Sequence, residues 1–150
     1  MIDLGNKSAL ITGGTKGIGY GIAEALLKEG INVAITGRTK ATAEEAAKQL
    51  NSHGNDRAQA IGLEADVRNY DSQQKAVKET VDQFGKVDIV IANAGLGHFR
   101  SVEDISIEQW QETIETNLSG PFYSLKASVE QLKKNRGYFI TISSLAGTNF

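Results

Sequence analysis

Thr12-Gly13-Gly14-Thr15-Lys16-Gly17-Ile18-Gly19 is the stretch best suited to chemistry: it follows an apolar run and opens a segment of helical spacing. Gly13 can turn the chain tightly out of a strand. Gly17 and Gly19 lack a Cβ, so a pyrophosphate can approach the start of the helix and the helix can pack close to a sheet. Unpaired N–H groups and the helix dipole favour an anion at that position. Thr15, Lys16 and Ile18 lie between the glycines and are candidates for contact with such a ligand. The spacing is G-x-x-x-G-x-G, not the commoner G-x-G-x-x-G. No Gly-Lys-Ser/Thr follows as it does in nucleoside-triphosphate loops. A ligand-free βα turn would use the same residue types.

The end of the second apolar run selects the dinucleotide. An acid about 20 residues beyond the glycines would bind the ribose 2′-hydroxyl of NAD. Here the chain reads Thr36-Gly37-Arg38-Thr39-Lys40, with no acid. An arginine suits a 2′-phosphate, and Lys16 adds positive charge. NADP is expected, with NAD the weaker candidate, and Arg38 and Thr39 join the cofactor-binding set.

These residues need a frame to hold them. Apolar runs at 8–12, 32–36, 58–65, 87–93 and 138–143 read as strands. Three are nearly continuous, as in strands buried on both faces. Segments 18–30, 40–54 and 71–85 have helical spacing and end in glycine, at Gly30, Gly54 and Gly85. Glycine is the usual C-terminal stop. The alternation predicts a doubly wound parallel sheet in a three-layer α/β/α Rossmann architecture, as one domain over 1–150.

Residues 107–134 read as one long amphipathic helix, with Trp110, Ile114, Leu118, Phe122, Leu125, Val129 and Leu132 as its core face. Pro121, the only proline, falls in its middle. Proline there removes the bond to the carbonyl of residue 117 and predicts a distortion.

Composition excludes several classes. Hydrophobic residues make up 40% and charged residues 23%, a globular balance. A net charge of −2 argues against nucleic acid as the main partner. There is no cysteine and there are two histidines, so neither a disulfide framework nor a metal site is expected. Little chain precedes the first apolar run and no run reaches membrane-spanning length, so the expectation is a cytoplasmic protein with no membrane partner.

With these motifs in place the chain resembles the classical short-chain dehydrogenase/reductase family over its whole length. Thr12, Gly13, Gly17 and Gly19 match its cofactor turn. Asp66-Val67 matches the pair that holds the adenine, and Asn93-Ala94-Gly95 matches its N-A-G segment. Asn117 matches the active-site asparagine, whose backbone carbonyl is thought to hold a relay water. Ser144 matches the serine that holds the substrate oxygen. Taken singly, Asp66 could instead cap a helix, Asn93 could be a turn residue, and Ser143 and Ser144 could be plain loop residues.

The resemblance implies an NADP-dependent oxidoreductase interconverting a ketone and a secondary alcohol by hydride transfer, with 3-oxoacyl thioesters among the candidate substrates. It implies catalytic roles for Ser144 and Asn117 and a homo-oligomer in which the long helix packs across subunits. The family's Tyr-x-x-x-Lys pair has no match up to Phe150. The expectation is therefore the N-terminal part of a longer chain, with the last strands still to come. A non-catalytic nucleotide-binding regulator on the same fold and another Rossmann-like enzyme such as a methyltransferase are the alternatives.

Overall fold

Ala9, Leu10 and Ile11, and likewise Val33, Ala34 and Ile35, are at most 1% exposed. Apolar residues on both faces of a strand mean helices on both sides of the sheet. The structure, a computed structural model, describes residues 6–53 and 57–144. It contains strands β1 (Ser8–Ile11), β2 (Asn32–Gly37), β3 (Ala60–Glu64), β4 (Ile89–Ala92) and β5 (Tyr138–Thr141). Helices α1 (Gly17–Lys28), α2 (Lys40–His53) and α3 (Tyr70–Phe84) link the first four. Between β4 and β5 run α4 (Ile107–Ile114), a π-turn at Glu115–Ser119 and α5 (Gly120–Asn135).

All strand pairs are parallel, in the order β3-β2-β1-β4-β5. The chain winds outward from β1 to β3, then returns to β4 on the other side of β1. The crevice at the carboxyl ends of β1 and β4 is the switch point where such sheets bind ligands. On one face Ala23 and Leu27 of α1 and Ala46, Ala47 and Leu50 of α2 pack on Ile11, Val33 and Ile35. On the other, Val77 of α3 and Leu132 of α5 pack with Leu10, Ala34 and Val90. This is the doubly wound three-layer α/β/α sandwich expected from the alternation.

Helix boundaries follow local chemistry. Asn69 caps α3 by accepting from the Ser72 N–H at 2.9 Å, so Asp66 is not the capping residue. Gly85 ends α3 at φ 79°, in the left-handed region. Ser106 and Gln109 form a reciprocal capping box at the start of α4. The expected glycine stop at Gly54 lies outside the described residues.

The single long helix and its core face need correction. A π-turn interrupts it directly before Pro121, with the Gly120 N–H bonding the Glu115 carbonyl. The wider turn shifts the phase of the residues on either side. Trp110 (55%), Leu118 (66%), Phe122 (58%) and Leu125 (38%) are exposed, and of the expected stripe only Leu132 is buried. The buried side of α5 instead carries Gly120, Ser124, Ser128 and Leu132. Small residues are needed there: a Cβ on Gly120 would lie 3.1 Å from the Val67 side chain. Each serine hydroxyl turns back onto a carbonyl one turn earlier, at 3.0 Å for Ser124 and 2.7 Å for Ser128.

Candidate functional site

The glycine turn is held by its neighbours on both sides. Gly13 has φ 63° and would place a Cβ 2.9 Å from the Ala94 Cα, so both its conformation and its surroundings favour glycine. The Thr12 hydroxyl accepts from the N–H groups of Asn93 and Ala94, each at 3.1 Å. The Asn93 amide donates to the carbonyls of Thr12 at 3.0 Å and Gly13 at 3.1 Å. The Asn93 side chain thus ties the ends of β1 and β4 together across the switch point. A Cβ on Gly19 would run into that same amide and lie 2.8 Å from the Gly13 carbonyl oxygen. Gly17, by contrast, has φ 59° and nothing within 4 Å of its Cβ position. Gly19 lets the helix close on the sheet, while Gly17 leaves open space at the helix start.

A cleft of about 800 Å³ lies over this edge. It is lined by Gly13, Thr15, Lys16, Gly17 and Ile18 from the turn, Arg38 and Thr39 after β2, and Asp66 and Val67 after β3. Asn93, Ala94 and Gly95 after β4 complete that wall. Gly19 is not part of the lining and acts from beneath through Asn93. The Thr39 and Thr42 hydroxyls meet at 2.8 Å at the start of α2.

Asp66 is gripped by a residue two positions on. Arg68 donates from its backbone N–H to Oδ1 at 3.0 Å and from Nη2 to Oδ2 at 2.7 Å. This hydrogen bonding holds the Asp66 carboxyl below the usual carboxylate range, against the opposing effect of partial burial. The partnership reciprocally raises the Arg68 guanidinium. Beneath, Gln73 is 1% exposed. It donates to the Asp66 carbonyl at 3.2 Å and accepts from the Ser124 hydroxyl at 3.0 Å, joining the β3–α3 turn to α5.

Asn117 and Ser144 stand apart from the cleft lining. Asn117 lies in the π-turn, and its side chain pairs with the backbone of Leu96, a cleft residue. Ser144 lies beyond β5. The register pairs Ala92 with Thr141, and the Ile142 N–H bonds the Ala92 carbonyl at 3.0 Å. Ser144 is therefore on the same carboxyl edge of the sheet as Asn93-Ala94-Gly95.

Several cleft residues carry no sequence signal of their own. Arg68, Leu96, Glu112 and Thr116 also line it. Arg68 follows the Asp-Val pair directly, which is the one hint available. Glu112 lies on an exposed-looking helix and shows its role only in three dimensions. It sits 3.5 Å from Arg68 Nη1 and 3.0 Å from His98 Nε2.

Comparison with known proteins fits this geometry. The family model described as short chain dehydrogenase matches residues 7–150. Trans-4-hydroxycyclohexanecarboxylate dehydrogenase of Sinomonas cyclohexanicum is 37% identical over 144 residues, covering 94% of this chain and 56% of that protein. The 3-oxoacyl-acyl-carrier-protein reductase FabG of Staphylococcus epidermidis is 34% identical over 144 residues, covering 95% of this chain and 58% of the reductase. The structure of an alcohol dehydrogenase from Thermococcus sibiricus, complexed with 5-hydroxy-NADP, superposes with a TM-score of 0.88 at 34% identity. That match covers 96% of this chain and 60% of the dehydrogenase. The chain spans less than two thirds of each.

Proposed function

The chain belongs to the short-chain dehydrogenase family, and from that premise we propose that it serves an NADP-dependent oxidoreductase interconverting a ketone and a secondary alcohol. One observation carries the reading. A single cleft at the switch point gathers the glycine turn, Arg38 and Thr39, Asp66-Val67 and Asn93-Ala94-Gly95. A nicotinamide dinucleotide fits this set because Gly17 leaves open space at the N-terminus of α1, where N–H groups and the helix dipole favour a pyrophosphate.

Lys16 and Arg38 are the cations for a 2′-phosphate, and the segment Thr36-Gly37-Arg38-Thr39-Lys40 carries no acid of its own to favour a 2′-hydroxyl. Asp66 offers a carboxylate to the adenine amine. Bound there, the dinucleotide supplies or accepts the hydride. Ser144 donates a hydrogen bond to the substrate oxygen as charge develops on it. The Asn117 carbonyl, one turn before the proline that lacks an N–H, holds a water that passes the proton. The family's proton donor, a tyrosine paired with a lysine, has no match among residues 1–150, which supply the dinucleotide-binding set.

The names of two relatives describe a cyclic secondary alcohol and a 3-oxoacyl group, which supports the ketone/alcohol reading and makes 3-oxoacyl thioesters the first substrates to try. The apolar face of α4 and α5 is the surface through which copies of the intact protein associate.

Titration of NADPH and NADH by nicotinamide fluorescence tests the reading. NADPH should bind more tightly. Arg38→Asp should weaken it by about one to two decades, the worth of a charge-assisted hydrogen bond. Equal binding of NADH would refute the NADP assignment, and binding of neither would refute the function.

A further inference from the structure

The cleft has two ends that no strand connects. The turn after β3 carries Asp66; the loop after β4 carries Asn93 to His98. Glu112 of α4 stands between them with one oxygen toward each. Its Oε1 lies 3.5 Å from Arg68 Nη1, and its Oε2 lies 3.0 Å from His98 Nε2. Arg68 in turn holds Asp66 through Nε and Nη2. The result is a continuous polar chain, Asp66–Arg68–Glu112–His98, whose first three members line the cleft and whose last lies in the loop after β4.

We propose that Arg68 and Glu112 are positioning residues that couple the two ends, so that occupancy at Asp66 is felt at His98. The inference rests on the dinucleotide reading above. Its physical basis is the sharing of acceptors. Asp66 Oδ1 already takes the Arg68 N–H and Nε, and Oδ2 takes Nε and Nη2. A carboxylate has about four lone-pair positions. An amine drawn to Asp66 must therefore share them with the guanidinium or displace it. The guanidinium has a second acceptor ready in Glu112. Glu112 is also what holds His98, so a change in Arg68 alters the restraint on the loop beside Gly95 and Leu96. Both contacts of Glu112 are part-exposed, so the coupling is modest.

The test uses adenosine 2′,5′-bisphosphate, which has the adenine end of the cofactor and no nicotinamide, with NADPH alongside. Both are titrated calorimetrically against the intact protein and its variants, with a thermal melt of each. His98→Gln should weaken adenosine 2′,5′-bisphosphate by about threefold although His98 is at the far end, the size of a typical coupling between linked side chains. Arg68→Gln should weaken it by a similar or larger factor. In a Glu112→Gln background the His98→Gln effect on this ligand should vanish. If His98→Gln leaves its affinity unchanged, or if the effect persists without the Glu112 carboxylate, the coupling is refuted. Glu112→Gln alone tests it again: unaltered affinity for adenosine 2′,5′-bisphosphate in a variant that melts like the parent also refutes it. Failure of the parent to bind either ligand refutes the dinucleotide reading and the coupling with it. Tight parental binding with independent variant effects refutes the coupling alone.

Discussion

The carboxamide of Asn117 and the backbone of Leu96 exchange two hydrogen bonds: Nδ2 donates to the Leu96 carbonyl at 2.7 Å, and Oδ1 accepts the Leu96 N–H at 3.0 Å. The side chain acts as a short length of β-ladder joining the π-turn to the loop after β4. A Cβ on Gly95 would lie 3.4 Å from the same Oδ1. The residue matched to the active-site asparagine therefore has structural work for its side chain, which leaves its backbone for the proposed water.

Asn117→Leu should remove both bonds and cost about 1–2 kcal/mol, taking roughly 0.5–1.5 kcal/mol per hydrogen bond and the low end for a site open to water. Asn117→Asp keeps the acceptor but sets a carboxylate against the Leu96 carbonyl. It should cost at least as much as Asn117→Leu at neutral pH and less once the carboxyl is protonated. Urea unfolding at two pH values checks both. An Asn117→Asp variant as stable as the parent at neutral pH would deny the pairing.

Gly19 and Gly21 lie two residues apart in α1 and should respond to alanine with opposite signs. At Gly19 the new Cβ meets the Asn93 amide and the Gly13 carbonyl, so Gly19→Ala should cost about 1–3 kcal/mol and weaken dinucleotide binding. At Gly21 nothing lies within 4 Å. Gly21→Ala should stabilise by roughly 0.5–1 kcal/mol through reduced backbone entropy of the unfolded chain. Thermal melts of the two variants decide the matter, and equal shifts would contradict the different surroundings.

The readable parts of this chain were those with local constraints. Gly13 and Gly17 are at positive φ in a turn between a strand and a helix, and both facts leave a mark in the spacing. The doubly wound parallel sheet followed from the alternation of apolar runs with helical segments. The misread parts depend on tertiary placement. An apolar stripe at helical spacing says that something covers it, and not that the sheet does. Gln73 looks like a surface helix residue yet is buried between Asp66 and Ser124, because α5 approaches over its small residues. Glu112 is 44 residues from Arg68 and 14 from His98, so no spacing rule could join them. The π-turn adds a residue of phase that a fixed period of 3.6 cannot represent.

The exposed stripe can be tested against its core reading. Leu118→Gln and Phe122→Ser should each change the stability of the fold by no more than about 0.5–1 kcal/mol, as surface substitutions do. Truncating a buried leucine or phenylalanine would cost roughly 2–5 kcal/mol. Leu132→Ala, on the buried side of α5, is the internal standard and should fall in that larger range. Denaturant midpoints are best compared at low protein concentration, where association through the stripe contributes least. Leu118→Gln costing as much as Leu132→Ala under those conditions would restore the core reading.

The Asp66–Arg68 pair predicts a difference confined to one pH range. Arg68 holds the folded Asp66 carboxyl below its ordinary range, whereas an unfolded aspartate titrates near about 4. Between those two values the unfolded chain binds more protons than the folded one, so stability rises with pH there. The contribution is fully present above about pH 4 and is lost as pH falls through the lower, folded value. Arg68→Gln removes the main cause of the shift. The parent should therefore melt above the variant at pH 5 to 7, by a gap that narrows steadily below about pH 4. Because both side chains are part-exposed, added salt should shrink the gap at neutral pH. Asp66→Asn should shrink the pH dependence of the gap, since neither protein then carries that carboxyl and only the longer Arg68–Glu112 contact remains. Melts of the four proteins (parent, each single variant and the double) across that range measure it. A gap that widened as the pH fell would reverse the sign and show that Arg68 does not stabilise the charged form of Asp66.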